Sequence, residues 1–174
     1  MKVVVAFACL LAVSASTAVA QSKNASLADD TFVRAALTAG TQEIREGGQD
    51  ADSSNAAIAA FAMRMVKDHS EANTQLLALA HQLDITVPND ELPPSGAQEQ
   101  PKGIQSPPVS ATSHLDPKAY FRKQVAAHRK AIALFEGEIS RGSKAQIKAF
   151  ARQTLPTLQA HLALAQKDLE NAAH

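Results

Sequence analysis

The chain has 174 residues with 17 basic and 17 acidic side chains. That is long enough for one domain with a proper core, and it leaves no net charge to recruit nucleic acid or an anionic membrane. Its single cysteine excludes an intramolecular disulfide. No G-x-S-x-G, glycine-rich phosphate loop or C-x-x-C-H offers nucleophilic, nucleotide or c-type haem chemistry.

The chain opens with Lys2, an apolar run from Val3 to Val13, and small residues closing in Ala18-Val19-Ala20. This is the pattern of a secretory signal over residues 1–20, cleaved after Ala20. The run is short for an uncleaved membrane anchor, and Cys9 comes too early for a lipoprotein site. Cleavage removes Lys2 and Cys9, leaving a thiol-free chain with 16 basic and 17 acidic residues. Export from a bacterial cell, with the periplasm as destination, is the expectation. No strong membrane signal remains after cleavage, and homo-oligomerisation is left open.

Residues 21–28 read as a polar leader, and residues 29–173 as a four-helix domain. Asp29 and Asp30 are N-cap candidates for a helix A carrying Phe32, Val33, Ala36, Leu37, Gly40 and Ile44 at helical spacing. It is expected to end near Gly47-Gly48, or to fray on to Asp52. Ser53-Ser54-Asn55 offers caps for helix B, which runs to about Leu83. Its seam is Ile58, Ala62, Met65, His69, Ala72, Leu76, Leu79 and Leu83, so a histidine takes a core slot.

A proline-rich connection follows, at about residues 86–116. It includes six of the eight prolines, with a seventh, Pro117, directly after it, and can hold neither a helix nor a central strand. Disorder is the expected state; a docking peptide for a protein partner is a weaker reading. Asp116 as N-cap and Pro117 at the first helical position start helix C. Phe121, Val125, His128, Ile132, Phe135 and Ile139 form its seam, with a stop at Arg141-Gly142. Ser143-Lys144-Ala145-Gln146 reads as a capping box for helix D. The seam there is Ile147, Ala151, Thr154, Leu158, His161, Ala165 and Leu169, with Pro156 placed to kink the helix. Two short connections and one long one imply an all-α four-helix bundle with a crossover between helices B and C.

His69 lies about 15 residues into helix B, His128 about 12 into helix C and His161 about 17 into helix D, all near midpoints at about 1.5 Å per residue. Three imidazoles can therefore share one layer, with Glu43 of helix A at a comparable depth. His69, His128, His161 and Glu43 would suit one transition-metal ion, which could be zinc, iron, manganese or copper, or else a small ligand at the same layer. Asp68 and Glu136 are candidates to orient the imidazoles through their other nitrogens. The rival reading is a buried hydrogen-bond network, such as His69 to Glu43 or His128 to Glu136, in a non-enzymatic structural or stress-related envelope protein. His81, His114 and His174 read as surface residues. Met63 and Met65 are more simply packing than haem ligands. No general base is identifiable, and the chain is read as binding rather than catalytic.

Certain motifs carry a resemblance. They are Phe32-Val33 with Glu43, Phe61-Ala62 with Met65-Val66-Lys67-Asp68-His69, Tyr120 with His128 and Phe135-Glu136, and Leu155-Pro156-Thr157-Leu158 with His161-Leu162. In these the chain resembles the bacterial family catalogued as domain of unknown function 4142, in the ferritin-like clan. The resemblance implies a secreted, ferritin-like helical bundle with these three histidines at recurring positions, and no established activity. Val66 and Leu158 stand three residues before His69 and His161, where the di-iron pattern places glutamate, which argues against an iron-oxidase or iron-storage centre. The short amphipathic helix usual in that family's crossover is replaced here by the proline-rich stretch.

Overall fold

The computed structural model describes the backbone of residues 14–87 and 115–173 and the side chains of residues 28–87 and 115–173. Four helices make up this part: α1 (Ser14–Asp50), α2 (Ala56–Gln82), α3 (Pro117–Arg141) and α4 (Ala145–Asn171). No strand occurs among the described residues. The all-α four-helix bundle expected from the apolar spacing is what the chain forms.

Local chemistry explains most of the boundaries. The Asn55 side chain accepts the amides of Ala57 and Ile58 at 3.0 and 3.1 Å and caps α2. Asp116 does the same for α3 through Lys118 and Ala119, with Pro117 where its missing N–H leaves no bond unmade. α3 stops at Gly142, whose φ of −58° is ordinary for any residue. Glycine is required there by space, because a Cβ would stand 2.7 Å from the Glu138 carbonyl oxygen. Pro156 lies inside α4, which runs through it without a break.

Two expectations are corrected at the ends of the first and last helices. α1 does not start at Asp29; it is helical from Ser14 and runs through the expected leader of residues 21–28. Asp29 is a cap, but for a different helix. Its buried carboxylate accepts the Ser143 amide at 2.8 Å, the Lys144 amide at 3.0 Å and the Ser143 hydroxyl, closing the N-terminus of α4. The capping box predicted from Ser143 to Gln146 is not used: Lys144 is the N-cap residue and makes no side-chain cap. A charge-assisted cap from a distant carboxylate is the stronger solution, and it ties α1 to the α3–α4 corner.

The topology follows from pairs that fix direction. Within each hairpin the helices are antiparallel. Between hairpins, Phe32 of α1 meets Phe135 late in α3 at 5.0 Å between ring centroids, while Glu46 late in α1 meets Lys123 early in α3 at 2.8 Å. α1 and α3 are therefore antiparallel, so α2 and α3 run parallel. Consistent with this, Leu115 and Pro117 share a recess with Ser53, Ser54 and Asn55 at one end of the bundle. Ile85 and Val87 pack at the other end with Phe32 and Ile147. Val87 and Leu115 therefore stand at opposite ends of the bundle; of the proline-rich crossover predicted at about residues 86–116, residues 88–114 lie outside the described residues.

The apolar interior is in two parts. One cluster holds Phe32, Leu37, Leu76, Phe135, Ile147 and Leu158 among others. The second is built on Ile58, Phe61, Met65, Tyr120, Phe121 and Ala165. Phe61 meets Tyr120 and Phe121 edge to face there, at 6.2 and 5.7 Å. Between the two lies a layer of buried polar side chains.

Candidate metal centre

The polar layer is made by the residues that take core positions without being apolar. His128 and His161 are each 1% exposed, and His69 is half-buried. Their ring centroids form a near-equilateral triangle with sides of 5.9 Å (69–128), 5.5 Å (69–161) and 5.3 Å (128–161). One ring nitrogen from each can be chosen so that all three lie within 4.8 Å of one another. The helical spacing of α2, α3 and α4 thus delivers three imidazoles to a single point, as their shared depth predicts.

What the rings do with their other nitrogens is informative. His128 Nδ1 donates to the Gln124 carbonyl oxygen, one turn back along α3, at 3.0 Å. His161 Nε2 donates to Asp68 Oδ2 on α2 at 2.8 Å. Each bond fixes a tautomer and leaves the opposite nitrogen as a lone-pair donor. Three ring nitrogens are buried without a hydrogen-bond partner: His128 Nε2 and His161 Nδ1, opposite these bonds, and His69 Nε2. Buried polar atoms in folded proteins are normally paired, so three orphans in one layer call for an explanation.

Burial also sets the protonation states. It is the largest cause pushing His69 down to about 3, with the charges of His161 and His128 adding to it. Burial likewise lowers His128 to about 4 against the raising effect of its Gln124 bond. His161 is lowered by burial despite its bond to Asp68. All three rings are neutral at physiological pH, which is the form that ligates metal.

Of the other residues singled out from the sequence, Asp68 is in place, bonded to His161 rather than to its neighbour His69. Glu136 is not: it is exposed on α3, so the expected pairing with His128 does not form. The buried glutamate of that region is Glu138, held up at about 7 by burial and by its hydrogen bond to Asp29, at the far end of α3. Glu43 is buried on α1 as its spacing suggests, yet it is not one of the side chains in the close triad. Burial, then the charge of Glu46, raises it to about 7, and its Oε2 has no partner.

Reasoning from sequence missed three contributors. Gln124 is 2% exposed; its carbonyl orients His128 and its side chain hydrogen-bonds Glu43. Asn73 donates to the Leu37 carbonyl and to Thr41 Oγ1 at 3.3 and 3.2 Å, across the α1–α2 interface. Its side chain occupies the space a Cβ on Gly40 would fill, at 2.9 Å from Asn73 Cγ, which explains the glycine there. Lys123 pairs with Glu46 at 2.8 Å beside a cavity of about 380 Å³ that has His69 and His128 in its wall. The available signal was a glutamine and an asparagine at seam spacing, in helices whose seams are apolar apart from their histidines.

A family model described as domain of unknown function (DUF4142) matches residues 14–167, and the chain belongs to that family. No curated protein and no solved structure matches it.

Proposed function

We propose that this member of the family is an exported bundle that binds one transition-metal ion through His69 Nε2, His128 Nε2 and His161 Nδ1. The observation that carries the reading is the set of three buried, unpartnered ring nitrogens converging from three helices. A metal ion satisfies all three at once. For tetrahedral bonds of about 2.0–2.1 Å the nitrogens stand about 3.3 Å apart, so the rings draw inward by an ångström or so at most from their 4.8 Å limit. Neutral imidazoles favour zinc, copper or iron over calcium or magnesium, and Asp68 behind His161 supplies negative charge to offset the ion. Val66 and Leu158, in place of glutamates, leave the site without the bridging carboxylates of a di-iron centre.

The alternative, a histidine network that serves only to fix helix register, accounts less well for the same layer. Such a network would pair the ring nitrogens with one another or with carboxylates, and these three have no such partners. Export rests on the N-terminal residues, and the expected mature terminus is Gln21.

Metal content of untagged protein purified from a periplasmic extract, measured by elemental analysis together with intact mass, tests both parts. One equivalent of metal, lost in His128→Ala and His161→Ala, is the expected result. Protein that takes up no first-row metal with a dissociation constant below the millimolar range overturns the binding reading. A mass corresponding to the full chain overturns the export reading.

A further inference from the structure

Two acids are buried together where α1, α3 and α4 meet. Asp29 of α1 is 0% exposed, and its two oxygens accept the Ser143 amide, the Lys144 amide and the Ser143 hydroxyl. Glu138 of α3 is 4% exposed and hydrogen-bonds Asp29. A hydrogen bond between two carboxyl groups requires a proton, and Asp29 already accepts three others, so Glu138 carries it. Glu138 Oε1 is buried without a partner. It lies against Gly142, in space that a Cβ at that position would occupy. The glycine thus leaves room for an acid beside another acid, although Asp29 alone completes the α4 cap. A recess of about 380 Å³ opens beside the pair, with Thr31 and Phe32 of α1 and Gly137, Glu138 and Arg141 of α3 in its wall. Arg141 is exposed and lies three residues from Glu138. It folds back along α3, so that a Cβ on Gly137 would stand 2.6 Å from its Nη2.

We propose that Asp29 and Glu138 form a proton-operated latch between α1 and α3: with its proton Glu138 donates to Asp29 and closes the corner, and without it Glu138 turns out into the recess toward Arg141 and releases the tie. An ionised Glu138 has no reason to stay at the inner position, where it would be a buried charge beside a like charge with one oxygen unpaired. The outer position offers water and a guanidinium on the same helix face. The other charges facing Glu138 are few. Asp29 of α1 favours its neutral form, and Lys148 of α4 favours the ionised one. The end of α2 meets this corner through the apolar cluster of Ala80, Ile85, Phe32 and Ile147, while His81 and Asp84 are exposed. Burial, then the bond to Asp29 and its charge, hold Glu138 up at about 7. The latch is therefore closed in acid and opens as pH rises through about 7. None of these groups is a triad ligand, so the latch stands whether or not the bundle binds metal.

The experiment is an NMR titration of the isotopically labelled protein from about pH 5 to about pH 9, following the Glu138 carboxyl carbon and the Ser143 and Lys144 amides. One shared midpoint near 7 is expected. Hydrogen-exchange protection of the two amides, corrected for intrinsic base catalysis, should fall about tenfold across it, the loss of one hydrogen bond to a charged group. Glu138→Gln should abolish the step at both amides, because its side-chain amide donates to Asp29 at every pH. Arg141→Ala should move the Glu138 midpoint upward, since the outer position loses its partner. The site-resolved carbon signal separates Glu138 from Glu43, which is raised to a similar value. Far-UV circular dichroism checks that each variant is folded. If Glu138→Gln fails to fold, the wild-type titration and Arg141→Ala carry the test. A Glu138 midpoint near its ordinary 4.5, or a step that persists in Glu138→Gln, overturns the latch. A midpoint unmoved by Arg141→Ala overturns the exchange of partners on which the latch depends.

Discussion

Replacing His69 with leucine should change the sign of its effect according to whether metal is present. In the metal-free protein His69 Nε2 is buried with no partner, and an unsatisfied buried polar atom costs about 1–3 kcal/mol. Leucine at this position continues the apolar seam of Met65, Ala72 and Leu76 and removes that atom without opening a large void. In excess chelator, His69→Leu should therefore be more stable than wild type by about 1–3 kcal/mol. With metal at about a hundred times its dissociation constant, the wild type gains about 2.7 kcal/mol by mass action. The variant, with two nitrogens in place of three, gains far less, and the order of stability inverts or closes. Urea unfolding with chelator and with zinc reads both limbs. A variant less stable than wild type in chelator, together with a wild type indifferent to zinc, refutes the reasoning, because the histidine would then be satisfied within the protein itself.

Stability of the metal-free protein should follow a dome in pH. His69 and His128 have folded values near 3 and 4, below the ordinary 6.5, so the stability tied to their neutral forms is complete above 6.5 and is lost as pH falls toward those values. His161 is lowered and acts in the same direction. Glu43 and Glu138 are raised from 4.5 to about 7, so their contribution is complete below 4.5 and is lost as pH rises through 7. The urea midpoint in chelator should peak at about pH 6–7 and fall on both sides; a midpoint that climbs steadily on acidification below pH 6 contradicts the neutral triad. Asp29→Ala should cost about 2 kcal/mol through loss of the α4 cap, seen as a lower urea midpoint with unchanged metal stoichiometry. Asp68→Asn should leave the fold intact and weaken metal about 10–100-fold in competition with a chromophoric chelator, because His161 loses the charge that raises its basicity.

The sequence discloses the triad for a simple reason. Ligands in a bundle ride on the same four-three spacing that buries leucine, so a histidine in the seam declares both its helix face and its depth. His69, His128 and His161 need no further information to be brought together. Glu43 shows the limit of that argument: correct face and depth put it beside the cavity, but whether a side chain reaches the triad depends on interhelical spacing, which periodicity does not encode. Glu136 fails for another reason. It is one residue past Phe135, and about 100° of helical rotation is enough to carry it from the core to solvent. Asp29 has the composition of a cap, and it is one, yet the amides it caps are 114 and 115 residues further on. A local rule assigns it to its own helix. The pairing of Glu138 with Asp29 is hidden in the same way, since it exists only once α1 packs against the α3–α4 corner.

The polar layer separates two apolar clusters that would otherwise merge into one core. Its members differ in how well they are satisfied. Asn73 has both the Leu37 carbonyl and Thr41, and it does the ordinary work of fixing register between α1 and α2. Asp29 is likewise fully engaged at the end of α4. A layer selected only for register would be satisfied throughout, as these residues are. Among the described residues the unsatisfied atoms are instead confined mainly to the triad and to Glu43 and Gln124, with His69, His128 and Glu43 lining one cavity and Glu138 the exception near the bundle end. Strain of that kind, gathered at one place and absent from comparable polar groups nearby, is the expected signature of a site prepared for something that completes it.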